Sequence, residues 1–491
     1  MYFFVPLFRK VSAPSGYEYL EKRFGTWARL YAAFGFLIFN GLRVGVVLYA
    51  TSLALHVVLG VDILTITLVL GIATTLYTMA GGFEAVIWSE MLQVVLLFAG
   101  AAVLVPMALN LIDGGFMTVI DMGMAADKFS PGSLEWSWVE ATLWVMIISN
   151  VFSTISEYST RQDFIQRYRA AKSTNHARLA IFIGAATIIP IWGYFHFLGT
   201  SLWTYYEINP DPVVAQMLVD STPEKIVPYF IVTQIPNGLR GLVMGAILMA
   251  TLSTLAPMIN ACSVTFMDDF YKRLMVKNAS DKHYLLCSRV STIFLGVLMI
   301  VIAILFDQLR SNTLQEFNYI LALVVSAGMM GLFFVGFFSR RVSGKAAGLA
   351  LLLTISFMLL WLVVKEEKFT PAVPYLLVIS LLVFLTAVLA YYKKRLGSKT
   401  VLSVTAYSTV LLTFALLVLK SAWWSENAVL VSEKAPNLLW TCVLTNSFFM
   451  IAALILGRLF PKASSDLSDV TWQGLQEKIK AQEAAGLLAK E

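Results

Sequence analysis

The sequence predicts an all-α protein that crosses a membrane many times. Three observations carry this. The 491 residues are 58% hydrophobic and only 13% charged, with a mean hydropathy of +0.75, whereas soluble domains carry about 25% charged residues. The apolar residues fall in long runs, each near the ~20 residues a helix needs to cross a bilayer. Basic residues alternate between the loops that join these runs. The net charge of +6 follows from that alternation and points to no nucleic-acid partner.

Twelve full spans are expected, at about 30–58, 62–81, 85–112, 137–160, 178–205, 240–267, 286–307, 315–338, 346–364, 372–392, 400–419 and 437–459. The opening MYFFVPLF is too short to span and lacks the basic start and cleavage site of a signal peptide. It reads as the last two turns of a helix. Loops near 9–29, 161–178, 272–282, 340–345 and 393–399 carry three to five Lys or Arg each, and loops on the opposite side carry two at most. The positive-inside rule therefore puts segment 1–29 and the tail 461–491 in the cytoplasm. The outer stretch 206–239 is broken by Pro210, Pro212, Pro223 and Pro236, and is expected to form short helices across the outer face. The tail after Pro461 is polar and favours a solvated or interfacial helix. Cys262, Cys287 and Cys442 all fall in apolar spans, as packing residues rather than a disulfide framework. The chain contains no P-loop, HExxH, paired CxxC or GxSxG, and its four His are scattered. Nothing suggests an ATPase, a metalloenzyme or a redox protein.

Polar residues within spans are the candidate functional groups, because a charge at the bilayer centre costs about 2.5–3.5 kcal/mol on insertion scales. Ala250, Ser253 and Thr254 fall at i, i+3 and i+4 in the span 240–267, so they share one helix face. Two hydroxyls and a carbonyl could bind a small hard cation. Equally, the hydroxyls could bond the carbonyl one turn back, and Gly241-x-x-x-Gly245 beside them signals close helix packing. Pro257 should kink or loosen this helix. Arg43 sits mid-span, and either meets a carboxylate on a solute or forms a structural ion pair with Glu90 or Glu157. Glu90 either lines an ion exit path or is a solvated interfacial carboxylate. Asn150 either faces the solute or bonds between helices.

Three stretches together resemble the sodium/solute symporter family, which includes sodium–sugar, sodium–proline and sodium–sialic acid cotransporters. They are SGYEYLEKRFG at 15–25, YTMAGGFEAVIWSE at 77–90 followed by Gln93, and the 240–271 helix with Ala250, Ser253, Thr254, Asn260 and a closing Asp269-Phe270-Tyr271. QDFIQR at 162–167 also fits the family's loop after its sixth core helix. The resemblance runs from residue 1 to about 345. It implies an inverted-repeat transporter core around a midplane site, with additional membrane helices over 346–460 and a cytoplasmic tail over 461–491. It implies sodium-coupled import of a small organic solute by alternating access, in a multi-pass protein of the cell membrane acting as a monomer. By position, Ala250 (through its carbonyl), Ser253 and Thr254 match the family's shared sodium site. Arg43 matches an arginine near the solute carboxylate in sialic-acid members, and Glu90 stands where the family commonly has aspartate. Sialic-acid members with a second sodium use hydroxyls where this chain has Ala256 and Pro257, so a second sodium is not expected. The resemblance also implies that the first core helix is lacking, so that a further ~70–100 residues would precede Met1. If translation starts at Met1, no coupled transport is expected of the chain.

The leading expectation is therefore a sodium symporter for a carboxylated sugar such as sialic acid, with a neutral sugar or polyol as the alternative. A channel would show pore loops or rings of like charge. A membrane sensor on the same fold would append a signalling domain, and the tail is too short for one. A non-transporting fragment is the remaining alternative.

Overall fold

The structure is a computed structural model that describes residues 3–10, 16–220, 222–309, 327–365, 437–460, 470–474 and 476–477. The expected spans 372–392 and 400–419 lie outside the described residues. In chain order the α-helices are α1 (Phe4–Lys10), α2 (Gly16–Phe24), α3 (Thr26–Leu59), α4 (Ile63–Asn110), α5 (Gly115–Ala125), α6 (Leu143–Thr160), α7 (Gln162–Ala170) and α8 (Thr174–Ile208). Then come α9 (Pro212–Val219), α10 (Ile226–Gln234), α11 (Asn237–Thr265), α12 (Asp281–Leu309), α13 (Met329–Phe338), α14 (Gly344–Lys365) and α15 (Thr441–Leu459). A π-helical segment, Phe266–Met275, extends α11. Among the described residues there are no strands, and seven helical stretches are long and apolar enough to cross a membrane.

Helix starts follow local sequence. The Asp62 carboxylate accepts the Thr65 amide at the head of α4, and Ser173 accepts the His176 amide at the head of α8. Asp211 caps α9, with Pro212 at its first position. The short helices α9 and α10 occupy the proline-rich stretch 206–239, as its punctuation suggests. The helix expected from 137 begins only at Leu143, because Ser133 and Ser137 hold turns ahead of it.

The chain forms two compact units. The first comprises residues 1–32, 131–170 and 322–491. Its core is aromatic: Phe4, Phe8, Tyr19, Phe333 and Phe337 pack ring on ring. Tyr19 is fully buried and donates to the Val470 carbonyl at 2.9 Å, which fixes the start of the tail. Buried Asn446 accepts the Gly331 amide at 2.9 Å, joining α15 to α13.

The second unit comprises residues 33–130 and 171–321, and pairs α3, α4, α11 and α12. The helical backbone of α4 is continuous across the two expected spans 62–81 and 85–112, but the helix is not straight. A Cβ at Gly71 would touch Leu48 at 3.4 Å, while Gly100 and Ala101 line one cavity with Val47 and Thr51 of the same α3 turn. Twenty-nine straight helical residues would separate those points by about 44 Å. The helix therefore bends between Gly71 and Gly100, which lie in its two apolar stretches, Ile63–Ala80 and Glu90–Asn110. The sequence places Gly81-Gly82 there, the kind of pair at which helices bend.

Close packing is made by other glycines than those expected. Among the described residues nothing lies within 4 Å of a Cβ added at Gly241 or Gly245, so the GxxxG spacing builds no interface with them. A Cβ at Gly296 of α12 would instead lie 2.0 Å from Thr75 Oγ1, and one at Gly45 of α3 would lie 2.3 Å from Ile302. Gly296→Val should lower stability by about 1–3 kcal/mol by overpacking this seam. Gly245→Ala should be neutral or slightly stabilising, since glycine costs a helix interior about 0.5–1 kcal/mol. Thermal unfolding of the two variants in detergent checks both, and a larger loss for Gly245→Ala would contradict the packing.

Candidate functional site

The Ser253 and Thr254 hydroxyls both donate to the Ala250 carbonyl, at 2.9 and 3.0 Å. Three oxygens from the i, i+3, i+4 face thus converge on one half-buried point. The hydroxyls bond back within their own helix, which is the bland alternative in geometric form. That bond does not consume the site: a hydroxyl that donates keeps its acceptor lone pairs. Pro257 removes a further backbone bond, since it has no N–H for the Ser253 carbonyl one turn back. α11 runs through Pro257 from Asn237 to Thr265 without ending there. Membrane helices tolerate an internal proline where neighbours re-satisfy the freed groups. The irregular backbone comes later, in the π-helical segment.

Ala250 and Thr254 of this face line a cavity of about 440 Å³ in the second unit, and Ser253 stands beside that lining. Its lining includes Val47, Ala50, Thr51 and Ala54 of α3, Gly100 of α4, and Ala246, Ala250, Thr251 and Thr254 of α11. Among the described residues that line it, none carries a charge. Divalent cations need carboxylate-rich cages, so a neutral oxygen set suits a monovalent hard ion.

Sequence reading missed the link that holds α3 to this face. Thr51 Oγ1 and Thr251 Oγ1 lie 2.7 Å apart across the two helices, and each is also 2.9 Å from the carbonyl four residues back, so the hydroxyl that donates across the helices donates to no local carbonyl while its partner keeps the bond within its own helix. No sequence signal pairs residues 200 apart. Val44 and Leu48 cluster with Leu255 and Ile259, so α3 and α11 run antiparallel. Thr51→Val and Thr251→Val should each cost about 0.6–1.7 kcal/mol, the scale of interhelical hydrogen bonds in membranes. The double variant should cost less than the sum of the two, as read by unfolding in detergent; strict additivity would contradict the bond.

Arg43 lies on α3 at i−4, i−7, i−8 and i−11 from lining residues Val47, Ala50, Thr51 and Ala54, so it shares their face one turn beyond. Its guanidinium stands 5.8 Å from the Phe39 ring centroid. One turn further, Asn40 is buried, and its side-chain oxygen has no hydrogen-bond partner among the described residues. Glu90 is half-buried at the start of the second apolar stretch of α4.

Asn150 and Glu157 belong to the first unit. The exposed Asn150 amide donates to the Met146 carbonyl at 2.8 Å, within α6 itself rather than between helices. Glu157 pairs with Arg161, which also bonds Asp163 at 2.8 Å. Burial opposes the Arg161 charge, but Asp163 and Glu157 outweigh it and hold its pKa above the usual arginine value.

The model of the sodium:solute symporter family matches residues 1–354. The chain is 32% identical over 360 residues to the sodium/sialic acid symporter SiaT of Proteus mirabilis, covering 72% of this chain and 71% of that one. It is 30% identical to the sodium/sialic acid symporter NanT of Aliivibrio fischeri, covering 73% and 70%. The human sodium-coupled monocarboxylate transporter 1 is also 30% identical, covering 75% of this chain and 60% of that one. In three dimensions the chain resembles a substrate-bound, outward-open Na⁺-coupled sialic acid symporter, with a TM-score of 0.70 and 26% identity over 94% of this chain and 80% of that one. With its multiple apolar helices and sodium as coupling ion, the chain is a membrane-embedded transporter and not an enzyme, and it belongs to the sodium:solute symporter family.

Proposed function

We propose that this chain couples inward sodium flow to import of sialic acid or a closely similar carboxylated sugar, by alternating access. The Ala250 carbonyl and the Ser253 and Thr254 hydroxyls bind the sodium ion. Arg43 binds the solute carboxylate, Asn150 is a solute-binding residue, and Glu90 lines the ion exit path. The protein works as a monomer in the cell membrane, with segment 1–29 and the tail inside. The observation that carries this reading is the charge-free oxygen face on the cavity, with Arg43 one turn along the facing helix.

A smaller monocarboxylate is the second reading, favoured by the likeness to sodium-coupled monocarboxylate transporter 1. Arg43 suits either solute, because a guanidinium recognises the carboxylate and not the ring. The test is uptake of labelled sialic acid into proteoliposomes holding the protein from its whole open reading frame. Uptake should require an inward sodium gradient, and excess unlabelled sialic acid should suppress it while neutral hexoses do not. Sodium-independent uptake, or equal competition by a neutral hexose, would overturn the proposal.

A further inference from the structure

We propose that Tyr271, His283 and Cys287 form a binding site for a thiophilic divalent transition metal of the Zn²⁺ class, at the junction of the π-helical segment with α12. The site is separate from the oxygen face on α11 and does not depend on the solute. Three donor atoms of different kinds meet there. Tyr271 Oη lies 2.8 Å from His283 Nε2 and 3.3 Å from Cys287 Sγ, and that sulfur lies 3.5 Å from His283 Nε2. Among the described residues no three His, Cys, Asp or Glu converge, so the third donor is the phenol.

The edges of this triangle fit a metal tetrahedron. Bond lengths of about 2.3 Å to sulfur and 2.0–2.1 Å to nitrogen give a sulfur–nitrogen edge of about 3.5–3.6 Å. The observed edge is 3.5 Å. The phenol would have to move outward by a few tenths of an ångström. Sulfur with imidazole nitrogen selects Zn²⁺ and its thiophilic neighbours over Na⁺, Mg²⁺ or Ca²⁺.

The backbone supplies the third corner. His283 and Cys287 stand at i and i+4 on α12 and share one face. Tyr271 arrives from the π-helical segment, whose extra residue per turn re-aims side chains. Its ring stacks on His283 with centroids 5.9 Å apart. The loop between them is tied down: Tyr284 accepts the Ala279 amide and donates to the Val276 carbonyl. Lys272 is engaged with Asp268 at 2.7 Å. All three donor residues are half-exposed, so an ion can reach them and keep a water as its fourth ligand.

Cobalt(II) titration of the purified metal-free chain tests this. A sulfur-to-cobalt charge-transfer absorption should rise to one ion per chain and vanish when Zn²⁺ is added. It should be absent in Cys287→Ser and present in Cys262→Ser. His283→Ala, which keeps all three thiols, should weaken binding at least about tenfold, the scale on which even outer-shell partners act. Tyr271→Phe should weaken it less. Absence of the absorption, its survival in Cys287→Ser, or unchanged affinity in His283→Ala would each overturn the proposal.

Discussion

Replacing Ser253 and Thr254 together by alanine raises the sodium concentration for half-maximal uptake by about 100-fold, at little cost to folding. Two of the three converging oxygens disappear, while the Ala250 carbonyl remains on an unbroken helix. A hydrogen bond or ion contact to a charged partner is worth about 1.5–3 kcal/mol, and each 1.4 kcal/mol is tenfold in affinity. Each single variant should therefore shift sodium dependence by roughly tenfold or more. Thr254→Ser keeps the hydroxyl and should stay near wild type. The folding cost is small because both hydroxyls bond within their own helix, and releasing such a bond leaves no partner on another helix unpaired. If the double variant is as sodium-sensitive as wild type, the face serves packing alone.

Arg43→Ala should weaken uptake of the carboxylated solute by about thirtyfold to several hundredfold while leaving sodium dependence nearly intact. Truncating one partner of a buried charged pair costs about 2–5 kcal/mol. Arg43 is only half-buried, so the lower part of that range applies. Arg43→Lys should recover part of the loss, because an ammonium keeps the charge but loses the planar two-pronged contact. Competition by the methyl ester of the same sugar separates the explanations. Wild type should discriminate strongly against the ester and Arg43→Ala should not. Full affinity for the acid in Arg43→Ala would remove this residue from the solute site.

The spans were legible because a bilayer imposes length and apolarity on every crossing, and α3, α8, α11 and α12 carry both signals without interruption. The Ala250–Ser253–Thr254 convergence was legible for a local reason: helix geometry alone brings i, i+3 and i+4 together. What the sequence did not display is tertiary. The Thr51–Thr251 pair depends on α3 and α11 running antiparallel, which no local pattern states. The GxxxG motif at Gly241 misled because a small-residue spacing permits an interface without supplying the facing helix; the close approaches are made by Gly296, and by Gly45 of a second such spacing, Gly41-x-x-x-Gly45. Asn150 was weighed as a solute contact or as a bond between helices, and its amide instead donates to a carbonyl one turn back in α6. Glu157 was weighed as a partner for Arg43, but Arg161 stands one turn away on the same chain and takes it.

Direct binding of radiolabelled sodium to the purified whole-frame protein tests the central claim most simply, since it needs neither the solute nor a gradient. Wild type and Arg43→Ala should bind with the same affinity, and the Ser253→Ala, Thr254→Ala double variant should show about 100-fold weaker binding or none in the accessible range. Equal sodium affinity in wild type and the double variant would contradict the assignment of this helix face as the sodium site.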